Sequence, residues 1–403
     1  MRLFLADDPL PGTLVKHGNS EDMLALAVRR PCACPHTNAA DGHRYLRRML
    51  NDLLVVETAG VLAGPAVGMF FAELGARVVK LENPRTGGDV TRQWKLPSED
   101  PASPVSAYFS SVNHGKEHRF VDLSLPDGRQ ELDLLLARAD VLISNHMEKD
   151  TAKFGLERKR LRALNPRLVQ GHLRGYAGNP ARPAYDAVLQ AETGYISMTG
   201  AGEDQLAKLP VALIDILAAH QLKEGLLLAL LQRGRTGQGA YVEVSLEEAA
   251  LTGLVNQATN WLMAGHVAAP LGTLHPNIAP YGELFRCADG ERIILAVGSD
   301  AQFGKLCGVL GLPALPAEPR FATNAQRVAH RKALAALLAT AMALHPAAGL
   351  LGQLERAGVP AGAVNPIHRA LASPTATGMV REQTINGLPT ARISGNAFRV
   401  SPL

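Results

Sequence analysis

Two hydrophobic periods alternate along this chain. The run "DLLVVETAG" (52–60) is short, apolar and β-branched, and it stops at Gly60, as a buried strand does. "PAVGMFFAELGA" then carries apolar residues at helical spacing until Gly75, and "RVVKLENP" is strand-like again. Strand, helix and strand within about 30 residues form a βαβ unit, which implies parallel strands and a right-handed crossover. The pattern recurs in "HRFVDLSL" (strand), "DGRQELDLLLARA" (helix), "DVLISN" (strand), the charged helix "ERKRLRALNP" and the strand "RLVQGHLRGYA". Farther on, "YDAVLQAETGYISMTG" reads as helical and "IDILAAHQLKEGLLLALLQR" as a long helix. The turn "GRTGQG" leads into a strand, "AYVEVSL", and one helix is predicted from Glu247 to about Gly265. This is a doubly wound α/β plan.

From about Leu271 the texture changes. "LGTLHPNIAPYGELFRCADGERIILAVGS" predicts a hairpin turning at Asp289-Gly290, and alanine-rich helices follow to about Ala357. The expected division is an N-terminal extension (1–50), the first part of a large domain (51–255), a small domain (256–357) and a return to the large domain (358–403). A strand is expected among the final residues.

Composition narrows the function. The 403 residues are 47% hydrophobic, enough for two cores, and carry 41 basic and 37 acidic residues for a net charge of +4. That mild excess lacks the clustered basic face of a nucleic-acid binder. Four cysteines, Cys32, Cys34, Cys287 and Cys307, are too scattered for a disulfide framework. Cys32 and Cys34 near His36 and His43 match no zinc spacing, so no metal is expected. The N-terminus lacks a signal-peptide plan. The longest apolar helical run, "ALAALLATAMAL", falls short of the ~20 residues a membrane span needs. A soluble, cytoplasmic protein is expected.

The first strand–helix turn, "AGVLAGPAVG", spaces Gly60, Gly64 and Gly68 four apart, which is not the dinucleotide fingerprint, and Pro65 removes an amide. Glu82 closes the second strand where an NAD enzyme keeps its ribose-binding acid, but the turn before it is wrong. Tight strand–helix packing is the alternative reason for these glycines. One further oddity is "LPVALIDILAAH" (209–220), where Asp215 is the single ionisable acid in an apolar stretch. Burying an unpaired carboxylate costs several kcal/mol, on the order of a typical net stability.

The segment "VLAGPAVGMFFAELGARVVKLENPRTGGDVTR" resembles the opening of the class III coenzyme A transferases, the family of formyl-CoA transferase, carnitine CoA-transferase and α-methylacyl-CoA racemase. So do "NHGKEHRFVDLSLPDG", "DVLISNHMEKDTAKFGL", "LNPRLVQGHLRGYA", "YDAVLQAETGYISMTG", "GRTGQGAYVEVSL" and "HPNIAPYGELFRCADG", in family order. The resemblance implies a Rossmann-like large domain with a parallel sheet, a smaller inserted α+β domain, and an interlocked homodimer. It implies an acyl-CoA:carboxylate CoA-transferase with Asp215 as nucleophile, passing through an aspartyl anhydride and an aspartyl-CoA thioester. The CoA thioester is substrate, and no prosthetic group is implied.

Carried over by position, the expected CoA contacts are Val61, Leu62 and Ala63; Asn83 and Arg85; Val121, Asp122, Leu123 and Ser124; Asn145, His146 and Met147; Lys153; and Arg182, Pro183, Ala184 and Tyr185. Segments around Gly60 and Gly272 are candidate oxyanion donors, and Gly272, His275 and Asn277 are candidates for reading the acid, expected to be a small dicarboxylate. Leu62 stands where formyl-CoA transferase has glutamine, and the glycine run of that enzyme is absent from "LGTLHPNIAP". Formyl or oxalyl transfer is therefore not expected. The racemase branch has His-Asp where this chain has Tyr185-Asp186, and a tyrosine with a pKa near 10 is a poor second base. Alternatives to transfer are a 2-methylacyl-CoA racemase-type enzyme and a catalytically silent CoA-binding protein.

Overall fold

The computed structural model describes residues 49–400. Cys32, Cys34, His36 and His43, and with them nearly all of the predicted extension, lie outside the described residues. Six strands form a parallel sheet: β1 (Leu54–Glu57), β2 (Arg77–Glu82), β3 (Lys116–Phe120), β4 (Val141–Ser144), β5 (Val169–Arg174) and β6 (Tyr241–Ser245), in the order β3-β2-β1-β4-β5-β6. The strand order reverses between β1 and β4, and in open α/β sheets the crevice at that reversal, beyond the carboxyl ends of the strands, is where ligands bind.

Nine helices matter to the site and its surroundings: α1 (Ala63–Glu73), α2 (Ala107–Asn113), α3 (Pro126–Leu136), α4 (Glu148–Lys153), α5 (Arg158–Leu164), α6 (Asp186–Glu192), α7 (Leu213–Thr236), α8 (Leu246–Thr252) and α9 (Asn256–Ala264). One sheet face is covered by α1 and α7, whose Phe71, Ile214, Ala218 and Leu222 pack on Val55, Val141 and Val169. The other is covered by α3 and α5, with Leu132, Leu136 and Leu161 on Val56, Val79 and Leu142.

Three expectations change in detail. The strand predicted over "HRFVDLSL" starts earlier and ends at Phe120, because the Asp122 carboxylate accepts from the Ser124 amide at 2.9 Å and turns the chain out of the ladder. The single helix predicted from Glu247 breaks into α8 and α9, with Val255 at φ +44°. Gly253 is so tight against the Tyr195 hydroxyl and Leu217 that a Cβ would lie 2.5 and 2.6 Å from them, and the chain turns away there. The C-terminal strand is a hairpin, β10 (Val380–Ile385) and β11 (Leu388–Ile393), turning at Asn386-Gly387 with positive φ at both residues. That dipeptide is the commonest two-residue hairpin signal.

A second, antiparallel sheet of β7 (Tyr281–Arg286), β8 (Arg292–Ala296) and β9 (Ala361–Ala363) has its own core with helices Asp300–Val309, Arg331–Met342 and Ala347–Arg356. Its third strand lies beyond residue 357. The hairpin does not join this sheet. It returns to the helices flanking the large sheet, where Ile385 packs with Phe109 of α2 and Arg392 pairs with Glu73 of α1. Cys287 and Cys307 are both free thiols buried in the smaller core. Among the described residues no single helix is long and apolar enough to cross a membrane.

The glycines of α1 are packing residues. A Cβ at Gly64 would lie 2.3 Å from that of Ala59, and one at Gly68 would lie 1.7 Å from Glu57 Oε2. A Gly68→Ala variant is expected to lose more than about 2 kcal/mol, because the Cβ displaces a buried ion-paired carboxylate. Gly178→Ala, with nothing within 4 Å of its added Cβ, should stay within about 0.5 kcal/mol. Denaturant midpoints of the two variants check this.

Candidate active site

Asp215 is the third residue of α7, in the turn whose amides have no helical partner. The α6 start meets it there: the Asp186 carboxylate accepts from the Ile214 amide at 2.7 Å and so caps α7. Asp215 is 9% exposed and lines a cavity of about 660 Å³ at the carboxyl ends of β1, β4 and β5. Among the described residues it has no hydrogen bond and no counter-ion. Burial, with the neighbouring Asp186 charge adding to it, pushes its carboxyl up to about 7. An acid in this condition is poorly solvated, and its anion is more reactive than a hydrated carboxylate.

Facing it is the β1–α1 turn. Asn145, beyond β4, bridges the crevice: its Oδ1 accepts from the Gly60 amide at 3.1 Å and its Nδ2 donates to the Gly60 carbonyl at 2.9 Å. The Val61 amide donates to the Asp89 carboxylate at 3.2 Å. Gly60 and Val61 are therefore committed, and Gly60 cannot serve as an oxyanion donor with its own amide. The next two amides, Leu62 and Ala63 at the start of α1, have no partner among the described residues.

Beneath the turn lies a buried charge network on the α1 side of the sheet. Lys80 Nζ reaches Glu57 Oε1 at 2.9 Å, the Ala59 carbonyl at 2.6 Å and Asp89 Oδ2 at 3.1 Å. Burial alone would lower its pKa, but the carboxylates of Glu57, Asp89 and Glu82 outweigh that and hold it above the ordinary lysine value. Lys116 takes the rest of Glu57, and burial brings its pKa down to about 8. Glu82 is bound by Arg92 at 2.6 Å and faces His118 at 2.9 Å. It is a structural acid, spent in this network, and not a ribose ligand.

The sequence-predicted contacts divide between two adjoining cavities. Val61, Leu62, Ala63, Asn145, His146, Met147, Arg182, Pro183, Ala184 and Tyr185 share the first with Asp215. Asn83, Arg85, Val121, Asp122, Leu123, Ser124 and Lys153 line the second, of about 420 Å³. Gly60, Val61, Asn145 and His146 border both. In the second, Arg85 pairs with Asp122 at 3.2 Å, while the Asn83 side chain caps the turn carrying Arg85 at 2.9 Å. Asn83 thus holds Arg85 in place. Burial, followed by the His172 ring, drives the His146 imidazole down to about 4, and its buried Nε2 has no partner among the described residues.

Gly272, His275 and Asn277 do not line either cavity of this chain. Gly272 donates to the Gly200 carbonyl at 2.7 Å, and His275 Nδ1 accepts from the Asn277 amide at 3.1 Å. Sequence reasoning missed the far wall of the first cavity, where Arg158 and Arg174 pair with opposite oxygens of Glu243. The alternation of Gln170, His172 and Arg174 along β5 was the available signal. Tyr108 lines neither cavity, but its phenol is pushed up to about 12 by burial and then by Asp215, Asp186 and Asp89.

This geometry places a desolvated carboxylate and unpartnered helix-start amides in one cavity that adjoins a second. A family model described as CoA-transferase family III matches residues 50–402. The chain belongs to family III of the CoA-transferases. It is 38% identical over 331 residues to a succinate–glutarate CoA-transferase of Agrobacterium fabrum, covering 81% of this chain and 82% of that one. An acetyl-CoA:oxalate CoA-transferase of Acetobacter aceti is 34% identical, over 77% of this chain and 79% of the other. Among solved structures, a CaiB/BaiF family protein from Brucella suis superimposes with a TM-score of 0.77 at 35% identity, covering 88% and 93% of the two chains. The α/β fold and the CoA-transferase class inferred from the sequence are both upheld.

The raised Asp215 pKa has two consequences. With Asp215 as the nucleophile that the family resemblance implies, its carboxylate must be ionised, so kcat/KM should fall about tenfold per pH unit below about 7; a profile flat from pH 5 to 8 contradicts this. For stability, an acid raised on folding binds its proton more tightly in the native state. Its burden therefore grows as pH climbs from the unfolded value near 4 and is complete above about 7. Asp215→Asn should gain a few kcal/mol over wild type at pH 8 and little at pH 4, by urea denaturation.

Proposed function

We propose that this enzyme moves CoA from an acyl-CoA to a small dicarboxylic acid through covalent intermediates on Asp215. The observation that carries the proposal is an unpaired carboxylate, buried in the first turn of α7 and lining the same cavity as the unpartnered Leu62 and Ala63 amides. Asp215 Oδ attacks the thioester carbonyl and expels CoA thiolate, giving a mixed anhydride. The thiolate attacks the aspartyl carbonyl, which releases the donor acid and leaves an aspartyl-CoA thioester. The acceptor carboxylate attacks that thioester and expels the thiolate again, and the thiolate takes the acceptor's acyl group. Every bond broken is matched by one formed and no proton is needed, so the reaction runs without an external energy source. Each tetrahedral state carries an oxyanion, for which the Leu62 and Ala63 amides are the donors we assign.

CoA extends in this reading from the Asp215 cavity across His146 into the second, where Arg85 and Lys153 meet its phosphates. Relatives acting on succinate, glutarate and oxalate support a dicarboxylate. Three arginines line the Asp215 cavity; Arg158 and Arg174 pair with Glu243 and Arg182 with Glu192, so a second substrate carboxylate would bind there by competing with those acids. Gly272, His275 and Asn277 would read that acid only if they approach the cleft of another subunit. No prosthetic group enters this scheme, and its setting is cytoplasmic.

An interlocked homodimer also fits the surface. Trp261, Leu262 and Met263 of α9 and the following Val267 are 57–84% exposed, a burden that a lone subunit would carry in water. Sedimentation equilibrium should return twice the chain mass at micromolar concentration.

The covalent scheme is tested by incubating wild type with succinyl-CoA and then hydroxylamine. Mass spectrometry should find a hydroxamate on the peptide carrying Asp215. Asp215→Ala should lose at least about 10³-fold in transfer between succinyl-CoA and glutarate while still binding CoA. A silent CoA-binding protein shows neither adduct nor turnover.

A further inference from the structure

Val61 has φ +73°, a left-handed backbone that a β-branched residue adopts only under compulsion. Such strain persists where surrounding contacts over-determine it, and it gathers at functional sites. The compulsion comes from Asp89. The Val61 amide points at both of its oxygens, 3.3 Å from Oδ1 and 3.2 Å from Oδ2. Asp89 is 8% exposed and is fixed from three other sides. Its Oδ1 accepts from the Thr91 amide and hydroxyl at 3.1 and 2.8 Å, and its own amide donates to Glu82 at 2.9 Å. Its Oδ2 meets the Lys80 ammonium, which also binds the carbonyl of Ala59, two residues before Val61.

We propose that Asp89, held by the buried Lys80, is a positioning residue: its carboxylate locks Val61 in the left-handed conformation and so aims the Leu62 and Ala63 amides into the Asp215 cavity. The turn has two fasteners. Asn145 holds Gly60 from the β4 side and Asp89 holds Val61 from the β2 side, and only the second resists strain. Without the Asp89 oxygens the Val61 amide would be unpaired, and the residue would relax toward negative φ. That relaxation swings the peptide plane between Val61 and Leu62 and carries the Leu62 N–H off its direction. A charge-assisted hydrogen bond is large enough to offset the strain of one residue.

The kinetic consequence rests on the reading of Asp215 and the helix-start amides given above; the structural consequence does not. Two measurements separate them. The first is hydrogen exchange in the peptide spanning residues 58–66. Asp89→Ala should speed exchange there at least tenfold while peptides from α7 keep wild-type rates. Asp89→Asn, which retains an oxygen for the Val61 amide, should fall between and provides a folded variant if alanine does not fold. The second is transfer between succinyl-CoA and glutarate. Asp89→Ala should cut kcat at least tenfold and change KM for succinyl-CoA less than twofold, since oxyanion donors act in the transition state.

The decisive arm is a double-mutant cycle with Val61→Gly, because glycine takes a left-handed φ without strain. In the Val61→Gly background, losing the Asp89 carboxylate should cost less than threefold in kcat. Equal losses in the two backgrounds, or unchanged exchange in 58–66, would overturn the assignment. If wild type shows no transfer between these substrates, the exchange arm still decides the role of Asp89, and the Asp215 reading fails on its own.

Discussion

A buried charge must be paired or it will not stay charged, and the large sheet is organised around that rule. Glu57, Lys80, Asp89 and Lys116 sit on the α1 side of the first three strands, each nearly sealed from water and each meeting an opposite charge. Their placement forces Gly68, since Glu57 occupies the space a side chain would need. It also fixes the end of β1, since Lys80 binds the Ala59 carbonyl. Asp215 is the exception that gives the rule its use. Among the described residues it has no hydrogen-bonding or ionic partner, and it is held across the crevice from a turn braced by the matched charges of Asp89 and Lys80. One site is neutralised by geometry and the other is left unsatisfied, and the reactivity lies in the contrast.

Much of the fold was legible because strand and helix periods are written locally. The βαβ units around 52–82 and 118–145, the hairpin at Asp289-Gly290 and the long helix from Asp215 follow from spacing and turn residues alone. The failures share a cause. The break between α8 and α9 depends on Gly253 meeting Tyr195 and Leu217, which are distant in sequence. The end of β3 depends on an Asp122 side chain choosing a turn over the ladder.

The site was legible in a different way. Asp215 stands out from residues alone as an acid in an apolar run, but its role came from the family resemblance. The expected CoA contacts came with it, and the fold gathers those residues into two adjoining cavities. Asp89, Lys80 and Asp186 were not visible as site residues. Each acts through another residue: Asp89 through a backbone amide, Lys80 through Asp89, and Asp186 through a helix cap and an electric field. Charged residues inside strands and loops carry no periodic signature that separates a support from a solvated surface. Gly272, His275 and Asn277, the candidates the resemblance offered for reading the acid, line neither cavity in the single chain.

The C-terminal hairpin has a bearing on how the molecule is made. Its Arg392 binds Glu73 across a separation of 319 residues, and Gln383 accepts from the Gly115 amide at 2.6 Å across 268. The flank of the large domain beside α1 and α2 is therefore covered by a segment translated after the whole of the smaller sheet. Until then a nascent chain already holding β1, β2 and β3 must wait with that flank bare, while the smaller sheet can close on its own residues first. The body that holds Asp215 is begun first on the ribosome and completed second, and the insertion that interrupts it sets the length of the wait.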